Sequence, residues 1–438
     1  MTTHYNKKTI RAWAFYDWAN SVYSLVISTA IFPIYYESVA RVNGSDQVPF
    51  LGFEVTNTVI YSFTLSLSFF IVAVLSPLLS GIADYSDRKK SFLRRFCYTG
   101  AAACCALFFF DDVSKLPFAL AAVLVASVGF WGSQVFYNAY LPEIAPKNLQ
   151  DKISAKGYAL GYIGSAGLLI ACLVLIEGHE MFGITSKGFA TRLSFLITGL
   201  WWAGFAQITF RGLPDPAKRK SIKWRTAANG YHELLKSKKI LFAIPVLKRY
   251  LLSFFMFSTG VQTVILLAGV FGSKTLGLSS DKLIITILLI QFLGIAGAYL
   301  FSKLSALYGN FNALFIAIAI WATICVAAFL LQRDDPSVTI KFFVLGSAVG
   351  LVMGGIQSLA RSTYSKMLPL SKNNTTFFSF YDVTEKMAIV LGTFAFGSIE
   401  QITGDMHYSA LTLSLFFIIS GVLLYSAKII EPKPLKAN

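Results

Sequence analysis

Charged residues are scarce in this chain, and the motifs that mark many enzymes do not occur in it. Only 14% of its 438 residues are charged and 55% are hydrophobic, whereas a soluble domain is roughly 25% charged. So little polar surface argues against a soluble globular protein. No GxxxxGK[ST] loop occurs, which argues against ATP-driven transport by this chain alone, and no GxSxG turn offers a nucleophile. We therefore do not expect an enzyme.

Cysteine and histidine are too few and too scattered to hold a metal. The five cysteines lie in apolar segments without CxxC spacing or a neighbouring histidine, and the four histidines fall in predicted tails or loops. Neither a disulfide framework nor a zinc site is expected. No cofactor is predicted, and the only small ion that we consider for this chain is a coupling proton.

Long apolar runs, by contrast, are abundant. Stretches such as 55–82 and 408–427 approach or exceed the ~20 residues that cross the hydrocarbon core of a bilayer. We predict an all-α integral membrane protein with twelve transmembrane helices, including an uncleaved first span. The predicted spans are 13–36, 56–82, 92–110, 117–141, 153–176, 191–212, 249–272, 283–302, 311–331, 340–365, 376–400 and 409–428.

A polar, basic connector divides these spans into six and six. It opens with Pro214 and Pro216, and its segment 221–240 is predicted to form a short interfacial helix. Residues 134–142 (QVFYNAYLP) can be aligned with 361–369 (RSTYSKMLP), which indicates a duplicated six-helix unit. The predicted domains are an N-terminal bundle at 1–212, a cytoplasmic linker at 213–247 and a C-terminal bundle at 248–438.

The net charge of +16 is explained by orientation in a membrane. Of the 38 Lys and Arg residues, 29 fall on the side of the N-terminus and eight on the other side. Because cytoplasmic loops carry the positive excess, both termini are predicted to be cytoplasmic. The basic loops lack aromatic platforms for single-stranded nucleic acid, so the expected partners are a small-molecule substrate and the lipid bilayer. No protein partner is required, and the sequence is compatible with a monomer.

Ionisable residues within the spans are the first candidates for function, because a bilayer disfavours charge. Asp17 begins a stripe in the first span, which at about 100° per residue covers one sector of the helix. The other members of the stripe are Asn20, Ser21, Ser24 and Ser28. The functional interpretation is a cavity wall, and the alternative is hydrogen-bonded packing against another helix. We favour the cavity.

The eleventh predicted span carries Tyr381, Asp382, Glu385 and Lys386 on one sector. Asp382 and Lys386 are four residues apart and can form an ion pair along the helix. Glu385 is then expected to lack a basic partner on its helix. Because burial disfavours a charged carboxylate, Glu385 is a candidate for proton coupling. A purely structural network is an equally good interpretation.

The tenth predicted span carries Gln357, Arg361 and Tyr364 along one face. Arg361 is our candidate clamp for an anion, since its planar guanidinium matches a carboxylate. Its predicted position, one turn from the cytoplasmic end, also permits contact with lipid headgroups instead. Further polar residues within spans are more often interhelical contacts than ligand contacts. They are Gln134, Asn138, Tyr158, Tyr162, Gln262 and Gln291.

The loop between the second and third predicted spans, SGIADYSDRKK at 80–90, resembles the loop signature of the major facilitator superfamily. This resemblance implies a role in conformational gating. The residues concerned are Asp84, Asp87, Arg88 and Lys89. Ser80 and Asp87 stand where glycines are usual, so the tight turn is expected to differ. Ala306 stands where the second half would carry an aspartate.

Five further segments resemble the vacuole effluxer family of that superfamily, whose fungal members are autophagy-related amino-acid permeases. They are FYDWANSVYS at 15–24, FYNAYLPEIA at 136–145, ISAKGYALGYIG at 153–164, GGIQSLARSTYSKMLP at 354–369 and FYDVTEKMAIVLG at 380–392. The resemblance implies a major facilitator fold with two pseudo-symmetric six-helix bundles. Short loops without a long luminal insert fit a bacterial member, which implies the inner membrane.

The preferred function is a secondary transporter that works by alternating access. It would export or exchange an amino acid, or a similar zwitterionic or anionic metabolite, with proton coupling as an option. Arg361 would hold a carboxylate, while Asp17 or Glu385 would hold an ammonium group. One alternative is a transporter-like sensor that binds a ligand without moving it. Another is a lipid scramblase, which predicts a polar groove open to lipid.

Overall fold

The computed structural model describes residues 6–42, 44–50, 52–214, 224–369 and 371–430, and at 224–228 it describes the backbone alone. Both ends of the chain and residues 215–223 of the predicted linker lie outside these ranges. The described α-helices, π-helices and strands are α1 (Lys7–Val22), continued by a π-helix (Tyr23–Ala30), α2 (Phe32–Val39), β1 (Gln47–Phe50), β2 (Phe53–Thr56), α3 (Asn57–Ser86), α4 (Lys89–Ala106), α5 (Leu116–Asn138), α6 (Leu141–Ile144), α7 (Gln150–Glu177), α8 (Lys187–Gly212), α9 (Trp224–Ala243), α10 (Pro245–Val270), continued by a π-helix (Phe271–Thr275), α11 (Ser280–Tyr308), α12 (Asn310–Phe329), α13 (Val338–Met367), α14 (Asn374–Thr403) and α15 (Met406–Ile429). Short 3-10 helices lie at Leu107–Phe109, Val113–Lys115, Lys147–Leu149 and His179–Phe182.

Nearly all of the described chain is helical, because a bilayer offers no water to satisfy an unpaired backbone. Ten of the described helices are long and apolar enough to cross a membrane, and the bent pair Lys7–Ala30 and Phe32–Val39 makes eleven. α14 is not among them, but it also has 30 residues and carries Asp382, Glu385, Lys386 and Glu400. The twelve predicted spans therefore correspond to ten long helices, one bent pair and α14.

The first span departs from a regular α-helix. It changes at Tyr23 to a π-helix that ends at Ala30, and α2 then continues at an angle of 40°. A π-helix has more residues per turn than an α-helix. The spacing of 100° behind the predicted polar stripe therefore applies only as far as Val22.

A short hairpin, which the sequence did not predict, lies between α2 and α3. Strands β1 and β2 pair antiparallel, with Gln47 opposite Thr56. The side chain of Asn57 donates a hydrogen bond to the Ala40 carbonyl, and the Tyr36 hydroxyl donates to the Asn57 carbonyl at 2.8 Å. These bonds fix the hairpin to the end of the first span.

The long helices pack into two groups that meet along four helix pairs. One group contains α1, α3, α4, α5, α7 and α8, and the other contains α10 to α15. Helix α7 meets α11 and α13, while α14 meets α3 and α5. Within the second group, α11 and α13 approach so closely that a Cβ on Gly354 would lie 2.0 Å from the Gly294 carbonyl oxygen. Glycine is required at this contact because any side chain would collide with the neighbouring backbone.

Helix α9, in the segment between the two groups, lies against both. A Cβ on Gly230 would lie 2.7 Å from the Ile82 nitrogen of α3, so the two backbones are in contact. From the other group, Asn373 donates a hydrogen bond to Glu233 at 2.8 Å. The helix predicted to be interfacial therefore packs across the end of the molecule where α3 ends and α14 begins. The residue limits predicted for the bundles and the linker remain predictions.

Candidate functional site between the two helix groups

Arg361 on α13 and Asp17 on α1 form a buried ion pair that joins the two groups. Nη1 of Arg361 lies 3.3 Å from Oδ2 of Asp17, and the residues are 1% and 4% exposed. The Tyr137 hydroxyl donates a hydrogen bond to the same aspartate oxygen at 2.7 Å. The pair neutralises two charges that a hydrocarbon environment would otherwise disfavour.

The remaining donors of Arg361 are also occupied. Nε donates to Ser154 Oγ and Nη2 to the Ser154 carbonyl, both at 2.9 Å, and Nη1 donates to Asn138 Oδ1 at 3.2 Å. The guanidinium carbon lies 4.3 Å from the centre of the Tyr158 ring and 4.9 Å from that of Trp13. Such cation–π contacts suit a planar cation. A substrate anion can bind Arg361 only by replacing one of these partners.

A second charged network centres on Lys386 of α14. Its Nζ lies 3.1 Å from both Asp382 Oδ1 and Glu385 Oε2, and 3.7 Å from the centre of the Trp131 ring. Gln262 of α10 donates a hydrogen bond to Glu385 Oε1 at 2.9 Å. Since Trp131 belongs to α5, this network also connects the two groups.

These contacts correct two expectations. The sequence predicts that Glu385 lacks a basic partner, but the flexible side chain of Lys386 reaches both neighbouring carboxylates. The alternative in which Arg361 reaches lipid headgroups is also wrong, because α13 continues to Met367 and α7 covers the guanidinium. Both basic residues therefore lie inside the protein.

Two further hydrogen bonds between polar side chains join the groups nearer the middle of the helices. The Tyr162 hydroxyl donates a hydrogen bond to Gln357 Oε1 at 3.1 Å, and the Ser165 hydroxyl donates to Gln291 Oε1 at 3.4 Å. These side chains belong to α7, α11 and α13. They place Tyr162, Gln291 and Gln357 at the interface between the groups.

Two tyrosines from the predicted polar faces pack within the second group. The Tyr364 hydroxyl donates a hydrogen bond to the Phe377 carbonyl at 2.6 Å. The Tyr381 ring stacks on Phe254 with 4.0 Å between ring centres. The Tyr364 hydroxyl and the Tyr381 ring are thus engaged with their own helix group.

Asn20 is a buried polar residue of the first span whose side-chain amide is unpaired among the described residues. It is fully buried, and neither polar atom of its side-chain amide has a hydrogen-bond partner in the described part of the chain. Buried amides are normally paired, so Asn20 is a candidate for a hydrogen bond with a polar solute. Ser24 and Gln134 are only half-buried.

The predicted gating loop fastens α3 to the other group. Asp84 accepts hydrogen bonds from the backbone N–H groups of Thr375 and Thr376, at 3.3 and 2.7 Å. A carboxylate is favoured at this position because the first turn of α14 presents unpaired N–H groups and the positive end of the helix dipole. Asp87 adopts a left-handed backbone with φ of 55°. Aspartate tolerates that conformation, so the tight turn forms without the usual glycine.

The same end of the molecule contains a further link through the start of α4, which follows Arg88. Lys89 Nζ lies 2.5 Å from Glu143 Oε1 and 4.1 Å from the centre of the Tyr140 ring. Glu143 also accepts a hydrogen bond from Asn374 at 3.0 Å. Lys89 therefore acts on the start of α14 through Glu143.

A second set of contacts fastens the two groups at this end, and the sequence did not indicate it. We call this set and the contacts of Asp84 with α14 the two locks. Asp151, in the first turn of α7, accepts hydrogen bonds from Ser305 at 2.9 Å and Asn310 at 2.8 Å, and its Oδ2 lies 2.5 Å from Lys366 Nζ. Ser305 adjoins Ala306, where the loop signature would place an aspartate in the second half. The carboxylate of this lock therefore comes from the opposite helix group.

Other residues of the site were also missed. Tyr137 and Ser154 lie inside the segments that resemble the vacuole effluxer family, and this resemblance is the feature of the sequence that could have identified them. Trp13 and Trp131 carried no signal, because aromatic residues are common in membrane spans. The Ser76 hydroxyl, 3.5 Å from Asp382 Oδ2, lies on a helix with many serines and was equally inconspicuous.

The hydrogen bonds between the groups are unevenly distributed along the helices. Within the described ranges they lie at the end marked by Asp84 and Asp151 or near the middle of the helices. None that the described residues form joins the groups at the opposite end, where the β-hairpin lies. The molecule is therefore fastened at the end where α1 begins.

Comparisons with known proteins agree with this architecture. The family profile described as "Vacuole effluxer Atg22 like" matches residues 5–431. The chain is 31% identical to the MFS-type transporter YxiO of Bacillus subtilis (strain 168), over 95% of this chain and 94% of the relative. It is 23% identical to autophagy-related protein 22 of Coccidioides immitis (strain RS), over 94% of this chain and 85% of that protein.

Solved structures of transporters have the same fold. The proton:xylose symporter XylE matches with a TM-score of 0.72 at 12% identity, over 97% of this chain and 96% of that one. FucP in its outward conformation matches with a TM-score of 0.68 at 12% identity, over 96% and 98%. These similarities confirm the predicted all-α membrane fold with two six-helix bundles.

Proposed function

Because this chain belongs to the Atg22-like vacuole effluxer family of the major facilitator superfamily, and is thus a secondary transporter, we propose that it exports or exchanges an amino acid. A related zwitterionic or anionic metabolite fits the same reasoning. The observation that carries the proposal is the pair of charged networks spanning the bundles. Together they contain two cations and three carboxylates, which complement a solute bearing both charges.

Arg361 is the proposed site for the substrate carboxylate. In the fastened state its partner is Asp17, so the substrate carboxylate would take the place of Asp17. Ser154 and Asn138 would keep the guanidinium in position during this exchange, because their hydrogen bonds do not involve Asp17. The released Asp17 would then accept the ammonium group of the substrate.

Glu385 is the proposed site of proton coupling. Its side chain is 19% exposed, whereas those of Asp382 and Lys386 are 6% and 1% exposed. A proton can therefore reach Glu385 more easily than the other two groups. Protonation would remove one of the two negative partners of Lys386 and leave Asp382 as its counter-ion. The network has a surplus carboxylate, which is the charge balance that proton uptake requires.

Alternating access would proceed by release of the fastened end. Asp84 must leave the first turn of α14, and Asp151 must leave Ser305, Asn310 and Lys366. Each lock consists of hydrogen bonds between rigid helices, so the two bundles can separate there without unfolding. We propose that Asp84, Asp87, Arg88 and Lys89 act in this movement and not in substrate binding.

Transport by purified protein in proteoliposomes tests the proposal. Amino acids and other small metabolites are first screened by thermal stabilisation, because a bound ligand raises the unfolding temperature. Hits are then measured in two assays, which are uphill accumulation driven by a pH gradient and exchange of labelled for unlabelled solute. Glu385→Gln is expected to abolish accumulation while exchange continues.

Glu400→Gln is the matched control, because it removes a carboxylate from the last turn of the same helix. It should leave both assays unchanged. If Glu385→Gln accumulates substrate as well as the parent protein does, the coupling role of Glu385 is wrong. If no zwitterionic or anionic solute is exchanged by the parent, the substrate class is wrong.

We also propose that both termini lie in the cytoplasm of a bacterial cell, with the fastened end on the same side. The support is the distribution of Lys and Arg, since the side of the N-terminus carries 29 of the 38. A C-terminal fusion to green fluorescent protein should fluoresce, whereas a fusion to alkaline phosphatase should be inactive. Active phosphatase would place the C-terminus outside.

A further inference from the structure

A groove on the outer surface between α1 and α8 is separate from the interface that holds the charged networks. It has a volume of about 810 Å³ and is open along one side. The two helices touch at Gly212, where an added Cβ would lie 2.2 Å from the Ala12 Cβ. This contact closes the groove toward the interior, and the opening faces the surroundings of the protein.

Two cations stand at one end of the groove. Lys8, in the first turn of α1, and Arg211, in the last turn of α8, both line it and are exposed. No acidic residue lines the groove, and neither side chain has an acidic partner in the parts of the chain that the structure covers. Positive charge without a counter-ion at the edge of a membrane attracts an anionic group.

The rest of the groove is mainly apolar and has the length of one membrane leaflet. Its walls include Leu200, Trp201, Phe205 and Ile208. From Arg211 to Leu200, α8 advances by about 16 Å at 1.5 Å per residue, and half of a hydrocarbon core is about 15 Å. An acyl chain that begins beside Arg211 would therefore end near the middle of the bilayer.

We propose that this groove binds a glycerophospholipid with an anionic headgroup. Lys8 and Arg211 hold the phosphate, and Arg211 contributes a planar donor pair that fits phosphate oxygens. An acyl chain lies along α8 between Phe205 and Leu200. An anionic headgroup is favoured over a choline headgroup because Lys8 and Arg211 repel a quaternary ammonium and no acidic residue among those described along the groove offsets them. The mainly apolar lining is also unlike the polar path that lipid scrambling requires.

Native mass spectrometry of the purified full chain tests this site, with phosphatidylglycerol and phosphatidylcholine added at matched concentrations. The parent should retain phosphatidylglycerol more strongly than phosphatidylcholine. One cation near a membrane surface changes anionic lipid binding about fivefold, so Lys8→Gln/Arg211→Gln should weaken phosphatidylglycerol binding about 30-fold. The charge control is Lys248→Gln/Lys303→Gln, which removes two exposed cations outside the groove and should have no such effect.

A second variant tests the apolar part of the groove. No atom lies within 4 Å of a Cβ added to Gly204, so Gly204→Leu fills the groove without a clash in the protein. It should reduce lipid retention, while Gly397→Leu, which is equally unobstructed, should not. The proposal is overturned if both groove variants bind phosphatidylglycerol within twofold of the parent, or if phosphatidylcholine binds equally well. Full competition by free glycerol phosphate would also overturn it, because the acyl chain would then contribute nothing.

Discussion

Replacing Asp17 by asparagine should destabilise the protein because it leaves Arg361 as a buried charge without a counter-ion. Removing one partner of a buried ion pair costs roughly 3–5 kcal/mol. Arg361 is 1% exposed and keeps neutral acceptors on Ser154 and Asn138 as well as two aromatic rings. These partners place the expected loss for Asp17→Asn at the lower end of that range, about 3 kcal/mol.

The double variant Asp17→Asn/Arg361→Gln removes both charges and should be less destabilised than the sum of the two single variants. A buried pair can often be replaced by neutral groups at little cost. We expect a coupling free energy of about 2 kcal/mol or more, well above the 0.3–0.5 kcal/mol within which distant sites are additive. Thermal unfolding in micelles can be followed with a thiol-reactive dye, since Cys97 and Cys104 are completely buried.

The exposed pair Glu177–Lys187, with 2.7 Å between its charged atoms, provides the control. Exposed pairs contribute about 0–1 kcal/mol, so Glu177→Gln should change stability little and show negligible coupling. If Asp17→Asn is no more destabilising than Glu177→Gln, then Asp17 and Arg361 do not form the buried pair described above. Strict additivity in the double-variant cycle would lead to the same conclusion.

Two other predictions concern the fastened end and the packing of the second bundle. Asp84→Asn weakens the cap on α14 by about 1 kcal/mol and should shift the population about fivefold toward the state in which the fastened end is released. Distances between spin labels on α4 and α12 would measure this shift. An unchanged distribution of these distances would contradict the gating role. Gly354→Ala forces a Cβ to within 2.0 Å of the Gly294 carbonyl oxygen and should destabilise the fold by about 1–3 kcal/mol or more. Gly397→Ala, with no neighbour within 4 Å, should not, and equal stability of the two variants would disprove the close approach of α11 and α13.

The helices could be predicted from the sequence because the thickness of a bilayer sets the length of each apolar run. The clearest exception is the irregular first span. Nothing in the composition of Tyr23–Ala30 distinguishes a π-helix from an α-helix, since both satisfy the backbone within one segment. The β-hairpin also escaped prediction, because its strands have only four residues each.

Candidate site residues could be found in the sequence, but their partners could not. Asp17 and Arg361 were both selected because a bilayer disfavours charge, yet they are 344 positions apart. Pairing them requires knowledge of which helices meet. For the same reason the sequence does not single out Asp151, which lies outside the predicted spans but contacts three residues of the other group. Local spacing was also misleading for Glu385, because a flexible lysine can contact an adjacent residue as well as one four positions away.

The two locks at the fastened end have a consequence for exchanging halves between related proteins. In one lock the acid is Asp84 in the last turn of α3, and in the other it is Asp151 of α7, while Ala306 occupies the corresponding position in the last turn of α11. Both acids are therefore encoded in the N-terminal half. A hybrid that joins this half to a C-terminal half with an aspartate at position 306 would bring two carboxylates together around a single lysine. The reciprocal hybrid, which joins the N-terminal half of such a relative to the C-terminal half of this protein, would have no acid at this lock. Neither hybrid is therefore expected to form the lock without a compensating substitution.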